Sequence, residues 1–60
     1  MKHLYIIETM TEDNYCRYMS GSNNYFVNEM KIWAYTPEYA LKLATNRADR
    51  VNEHSIKQVR

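Results

Sequence analysis

Few residues of this chain have the types and spacing that chemistry requires. Its only soft metal ligands are His3, Cys16 and His54, and no two of them lie at the short spacing of a zinc site. If the first and last strands were parallel neighbours, His3 and His54 could both lie near the starts of these strands and share a site. Glu12 and Asp13 are adjacent carboxylates, but neighbours in sequence point in different directions and are typical of a turn.

Nucleophilic catalysis has no better support. Cys16 and a histidine could form a nucleophile and its base, but no third residue is recognisable to orient the histidine, and no oxyanion site is evident. A single glycine also excludes a glycine-rich loop that would hold a phosphate group. We therefore expect a protein that is not an enzyme and that has no metal site and no cofactor.

The length and charge of the chain limit its fold and its partners. Sixty residues allow one domain, residues 1–60, and are too few for a layered cofactor-binding fold. Eight Lys and Arg against seven Asp and Glu leave a net charge of +1. This balance argues against a DNA mimic and against a protein that grips many DNA phosphates. Residues 42–60 nevertheless hold five basic and two acidic residues, a local charge of +3.

The apolar run near the N-terminus is too short for a membrane or export signal. Residues 4–7 are apolar, and Glu8 ends the run after four residues. The single cysteine suits a reducing compartment. We expect a cytoplasmic protein with no membrane partner.

The first half of the chain is predicted to form strands. Apolar residues alternate over residues 4–10, which predicts a first strand, and the polar residues 11–14 predict a turn. Residues 15–19 are predicted as a short second strand before turn residues 20–24, which include the only glycine. Residues 25–35 alternate over a longer span than most strands, so they predict a third strand with a bend or bulge near Asn28.

One helix and a weak strand are predicted in the second half. Thr36 and Pro37 mark a helix start, because threonine caps helices and proline is tolerated at the first helical position. The helix is predicted over residues 37–50 with a stop at Asn52, and a last strand over 54–59 is predicted to lie parallel to the first. The order β-β-β-α-β predicts an α+β fold, in which an antiparallel sheet of three to four strands carries one helix on one face.

One helix covers one face of a sheet, and this chain holds six Tyr, one Trp and one Phe. If Phe26, Ile32 and Ala34 face the helix, the other side of the third strand exposes large rings. Exposed apolar surface marks interaction sites, and Tyr and Trp are enriched where protein partners bind tightly. The predicted partner-binding residues are Tyr25, Trp33 and Tyr35, with Tyr5 and Tyr15 as neighbours and Arg47 and Arg50 as rim charges.

Alternatives remain for the uncovered face. Residues 11–24 could fold over it and bury the rings within the chain. The face could dock a foreign protein or a second copy in a homodimer. Its aromatic rings could also stack the bases of a single-stranded nucleic acid while Lys31, Arg17 and the basic C-terminal residues hold phosphate. The small net charge and the presence of Glu29 among the rings disfavour this last hypothesis.

The junction between the third strand and the helix resembles a segment of very small phage and mobile-element proteins. The resemblance covers residues 33–44, where a strand ending in alanine leads through threonine into a helix with an acidic residue in its first turn. The opening Met1, Lys2 and His3 is also similar. Proteins of this kind include anti-CRISPR, anti-restriction and antitoxin inhibitors. The resemblance implies stoichiometric binding to a host protein, and it carries over no functional residues.

Overall fold

The computed structural model describes all sixty residues, Met1–Arg60. Its elements are, in chain order, β1 (His3–Met10), α1 (Glu12–Met19), β2 (Asn28–Ala34), α2 (Pro37–Arg47), β3 (Arg50–Val51), a 3-10 turn (Glu53–Ser55) and β4 (Lys57–Gln58). The four strands form one antiparallel sheet. The predicted α+β class is therefore confirmed, but the chain has two helices rather than one.

β1 lies at the centre of the sheet. It pairs with β2 along one side, from His3 opposite Ala34 to Thr9 opposite Asn28. Along its other side it pairs with both short strands, β3 and β4. All three pairings are antiparallel, so the prediction that the last strand runs parallel to the first is wrong. The helical crossover after β2 leads to β3, which runs parallel to β2 with β1 between them.

The antiparallel direction of β4 also separates the two histidines. Gln58 is the residue that lies beside His3, with its Nε2 atom 3.2 Å from the Nδ1 atom. His54 stands in the 3-10 turn, where its Nε2 atom is 3.7 Å from a carboxylate oxygen of Glu53. The parallel arrangement that would have brought the histidines together does not occur.

Residues 12–19 form helix α1, so the predicted turn and short strand in this region are wrong. Thr11 caps the helix, because its Oγ1 atom accepts the backbone N–H of Asn14 at 3.3 Å. Glu12 and Asp13 place negative charge in the first turn, where the helix dipole favours it. Gly21 follows the helix with a φ of 85°, which glycine adopts without strain. These local signals outweigh the short alternation seen in the sequence.

The boundaries of β2 and α2 agree only in part with the predictions. β2 begins at Asn28, where a bend was predicted, so Tyr25 and Tyr35 flank the strand instead of belonging to it. α2 starts at Pro37 as predicted, and Thr36 Oγ1 accepts the N–H of Tyr39 at 3.1 Å. The helix ends at Arg47, because the chain from Arg50 onward pairs with β1.

The core lies between α2 and one side of the sheet, which we call the inner face. Its buried apolar residues are Tyr5, Ile7, Ile32, Ala34, Ala40 and Ala44. Ala40 and Ala44 are fully buried, and their small side chains allow the α2 backbone to lie close to the strands. Asn52, predicted as the helix stop, caps the 3-10 turn instead, where its Oδ1 atom accepts the N–H of His54.

The positions of two aromatic residues differ from the prediction. Tyr5 is only 3% exposed and belongs to the core, so the prediction that it helps to bind a partner at the surface is wrong. It shares the inner face with its cross-strand neighbour Ile32. Phe26, which was expected to face the helix, is exposed because it precedes β2 and is not fixed by the sheet.

Replacing Tyr5 with alanine should therefore destabilise the fold. Removal of a large ring from a core typically costs about 3–5 kcal/mol, a large part of the stability of a small domain. Urea denaturation followed by circular dichroism measures the effect. Tyr35→Ala is the matched control, and it should change stability by less than about 0.5 kcal/mol because Tyr35 is exposed. Equal losses for both variants would contradict the assignment of Tyr5 to the core.

Candidate functional site

The side of the sheet away from α2, which we call the outer face, is assembled by cross-strand register. Residues directly opposite each other in an antiparallel pair share a face. Leu4 lies opposite Trp33 and Ile6 opposite Lys31, and farther along the pair Glu8 lies opposite Glu29. On the other side of β1, Ile6 lies opposite Lys57, and Met10 opposite Arg50.

One end of the outer face presents large rings to solvent. Trp33 is 51% exposed and Tyr35 is 61% exposed. Leu4 lies beside Trp33 on β1, and the Nζ atom of Lys2 stands 5.8 Å from the centre of the Tyr35 ring. We call the part formed by Leu4, Trp33 and Tyr35 the aromatic end. An exposed aromatic surface of this kind is expected when a single helix covers only one face of a sheet.

Charges divide the outer face along its length. Lys31 and Lys57 flank Ile6 from the two sides of β1, so positive charge lies next to the aromatic end. One row farther along, Glu8 and Glu29 are exposed and directly opposite each other. The side-chain amide of Asn52 donates to Glu8 at 3.4 Å. The face is therefore basic beside the rings and acidic at its middle.

The other end of the outer face contains a cavity of about 430 Å³. Three tyrosines line it together with residues of β1, β3 and the segment before β2; the principal ones are Met10, Tyr15, Tyr18, Tyr25, Val27 and Arg50. The Tyr18 and Tyr25 rings meet edge to face, with centres 5.2 Å apart. We call this the tyrosine cavity. Its volume falls within the range of small-molecule pockets, roughly 300–1,000 Å³.

An ion pair holds α1 beside this cavity. The guanidinium of Arg50 donates two hydrogen bonds to the carboxylate of Glu12, each at 3.0 Å. The same guanidinium stacks on the Tyr15 ring, 4.2 Å from its centre. The backbone N–H of Glu12 donates to the carboxylate of Asp49 at 3.1 Å. We call these contacts the Glu12–Arg50 clamp, since they join the start of α1 to the start of β3.

The clamp changes the proton affinity of both partners. The hydrogen bond from Arg50 holds the pKa of Glu12 below its ordinary value of 4.5. The hydrogen bond to Glu12 in turn raises the pKa of Arg50. Both side chains are about half exposed, so water screens the pair and its effect is local.

A buried amide fixes the other side of the cavity. The side-chain oxygen of Asn14, on α1, accepts the backbone N–H of Phe26 at 3.3 Å. Asn14 is one of the two buried polar residues of the chain. This bond ties the segment before β2 to α1, and it places Tyr25 within reach of Tyr18.

The predicted site residues fall in three places. Trp33 and Tyr35 form the aromatic end, while Tyr15, Tyr25 and Arg50 line the tyrosine cavity. Tyr5 is in the core, as described above. Arg47 is exposed in the last turn of α2, the layer that covers the inner face, so it lies apart from the other predicted residues. Arg50 has its charge paired with Glu12 and is not a free rim charge.

Residues 11–24 cover the rings only in part. Tyr15, on α1, and Tyr25, which precedes β2, are half-buried, whereas Trp33 and Tyr35 remain exposed. Sequence reasoning missed Tyr18 as a cavity residue because it missed α1. The signal was present in Thr11 followed by two acidic residues, which is a helix start. Lys31 shares the outer face with Trp33 as the alternation of β2 predicts, whereas Lys57 reaches this face only through the pairing of β4 with β1.

No family model, curated protein or solved structure matches this chain. Neither of its helices has the length and apolar character needed to cross a bilayer. No three His, Cys, Asp or Glu side chains are grouped so that they could hold a metal ion. The functional interpretation therefore depends on the geometry of the outer face.

The Glu12–Arg50 clamp predicts a specific pH dependence of stability. The pKa of Glu12 is lower in the folded chain than in the unfolded chain, so its stabilising effect is present near neutral pH. That effect is lost as the pH falls below about 4.5 and through the folded-state pKa. Glu12→Gln should therefore lower the urea midpoint at neutral pH, and its difference from the wild type should shrink in acid.

Glu38→Gln is the matched control for this experiment. Glu12 and Glu38 both lie in the first turn of a helix, so both interact with a helix dipole. Only Glu12 has an arginine partner. An equal pH dependence in the two variants would show that the clamp does not contribute.

Proposed function

We propose that this protein is a non-enzymatic module that binds another protein through its outer face. The proposal is supported chiefly by the exposure of Trp33 and Tyr35, two large rings on a sheet face that α2 does not cover. The buried apolar core of the chain comprises only six residues. A domain with so small a core gains buried area from a partner, which favours an interaction surface where the rings lie.

The position of Trp33 suits a binding anchor. It lies on β2, opposite Leu4 of β1, and β2 is the strand that makes the longest pairing in the sheet. Tryptophan supplies a large contact area with few rotatable bonds, so little conformational entropy is lost when a partner covers it. Lys31 and Lys57 next to this end would attract an acidic partner surface and speed its association.

The tyrosine cavity adds a concave element to the same face. Tyr15, Tyr18 and Tyr25 supply apolar walls with hydroxyl groups at their tips. A protruding side chain of the partner would be buried there while Trp33, at the other end of the face, contacts another part of the partner surface. A projecting ring together with a hollow on one face is the arrangement expected of an interface with a few dominant anchors.

We further propose that the partner is a host protein and that this chain is a phage-encoded inhibitor of it. This narrower proposal is supported by the resemblance of residues 33–44 to small phage and mobile-element inhibitors. Trp33 and Tyr35 both lie in that segment. Inhibition would then follow from occupancy of the partner surface, with no chemical step.

A second candidate function is the binding of single-stranded nucleic acid. It is favoured by the lysines beside the rings, since Lys2 stands near Tyr35 and Lys31 lies next to Trp33 on β2. Stacked bases and paired phosphates need such a combination. The exposed carboxylates of Glu8 and Glu29 on the same face would repel a phosphate backbone that runs along it. This function is therefore the second candidate.

Trp33→Ala should abolish partner binding and leave the domain folded. Loss of a central anchor typically weakens an interface by 2 kcal/mol or more, about thirtyfold. Affinity capture from a host lysate, with mass spectrometry, would compare the wild type with the variant. Tyr39→Ala is the matched control, because Tyr39 is similarly exposed but lies on α2. If Trp33→Ala unfolds the chain, Trp33 serves the fold and the proposal is wrong.

Trp33 also allows the two functions to be separated. It is the only tryptophan, so its fluorescence reports directly on the aromatic end. Nucleic-acid binding predicts quenching by single-stranded DNA or RNA at low salt, and this signal should fall steeply as salt is added. Unchanged fluorescence at low salt would eliminate the second function and leave the protein-binding proposal intact.

A further inference from the structure

β2 has one open edge. It pairs with β1 along one side, and no strand pairs with its other side. An open strand edge presents backbone N–H and C=O groups that can pair with another strand. β2 is seven residues long, enough to support a regular ladder.

The hydrogen bonds of β1 show which residues of β2 face that edge. Leu4 exchanges backbone hydrogen bonds with the C-terminal residues, and the carbonyl of Glu8 accepts from Asn52. The backbone N–H and C=O groups of the even-numbered residues of β1 thus point away from β2. Those of the odd-numbered residues point toward it. Because β1 and β2 pair odd with even, the even-numbered residues of β2 complete that ladder.

The odd-numbered residues of β2 therefore direct their backbone groups to the open edge. These residues are Glu29, Lys31 and Trp33, and no bond from a loop, turn or side chain reaches their backbone N–H or C=O groups. Their side chains all lie on the outer face. Unpaired backbone groups along this edge are thus accompanied on the outer face by an acidic, a basic and an aromatic side chain, in that order.

We propose that a second copy of this chain pairs with that edge, antiparallel and centred on Met30. In this register Glu29 of each copy lies opposite Lys31 of the other. The two-fold symmetry forms the oppositely charged pair twice. Val27, which is 46% exposed, comes opposite the half-exposed Trp33 of the other copy, also twice. The edge is therefore complementary to itself in charge and in apolar surface.

Neighbouring registers lack this complementarity. Outer-face residues of one copy must lie opposite outer-face residues of the other. The two-fold axis of the pair must therefore pass through a residue of β2 and cannot pass between two residues. A pair centred on Glu29 places two carboxylates opposite each other, and a pair centred on Lys31 places two ammonium groups opposite each other. Like charges directly opposite in a sheet are destabilising. Centring on Ile32 leaves Glu29 and Lys31 without a charged partner.

The pairing joins the two four-stranded sheets into one. Because opposite residues share a face, both outer faces lie on the same side of the dimer, and so do both tyrosine cavities. The lysine at the edge, which by itself discourages strand addition, is compensated by Glu29 of the other copy. This dimer goes beyond the proposed binding of a foreign protein, and it would present two copies of the outer face.

Charge reversal tests the pairing. Glu29→Lys and Lys31→Glu each replace two attractive pairs by two repulsive ones. Each variant alone should therefore self-associate at least about tenfold more weakly than the wild type. An equimolar mixture of the two variants restores opposite charges at every pair and should dimerise. The double variant Glu29→Lys with Lys31→Glu should dimerise as well, since the pairs are only exchanged. Sedimentation equilibrium measures the mass in each case.

Lys57→Glu is the matched control for Lys31→Glu. It makes the same change of charge on the outer face, but Lys57 lies on β4, away from the open edge of β2. The Lys57→Glu variant should therefore still dimerise. A wild-type mass of one chain at all concentrations would overturn the proposal. Single variants that dimerise like the wild type, or a mixture that stays monomeric, would also overturn it. Binding of a foreign protein through Trp33 is tested separately and does not depend on this result.

Discussion

Every strand pairing in this protein is made with β1, and the rest of the structure depends on that constraint. β2 pairs along one of its sides, and β3 and β4 divide the other. The alternation of β1 therefore sorts the side chains of the entire sheet, with Tyr5 and Ile7 on the inner face and the even-numbered residues on the outer face. α2 covers the inner face with small alanines and leaves the outer face to other contacts. The distribution of exposed rings follows from this single arrangement.

The two ends of the outer face differ in how they are covered. At one end the Glu12–Arg50 clamp and the buried amide of Asn14 hold α1 against the sheet and form the tyrosine cavity. At the other end Trp33 and Tyr35 have no covering element, and Lys2 and Lys31 lie beside them. The net charge of +1 thus conceals a surface that alternates between basic and acidic rows. Such local charge patterns guide association and orientation even when the total charge is small.

Sequence reasoning succeeded where a signal was local and unambiguous. Thr36 and Pro37 predicted the start of α2, because capping geometry depends only on neighbouring residues. Thr11 carries the same kind of signal for α1, but residues 15–19 also alternate weakly, and this alternation predicts a short strand where the helix lies. Tyr5 was misplaced for a different reason. Both sides of β1 are apolar or aromatic, so a period of two identifies the strand without showing which side is covered.

The sequence by itself determined the fold class, the main strand, the second helix and the excess of rings over what one helix covers. These properties depend on composition, periodicity and local caps. Only the tertiary structure decided that Tyr5 is buried in the core, that Lys57 lies on the outer face, and how α1 and Arg50 enclose the tyrosine cavity. Those features join residues far apart in the chain, such as Glu12 with Arg50 and Ile6 with Lys57. Pairing register sets these contacts, and a shift of one residue would move every side chain to the other face.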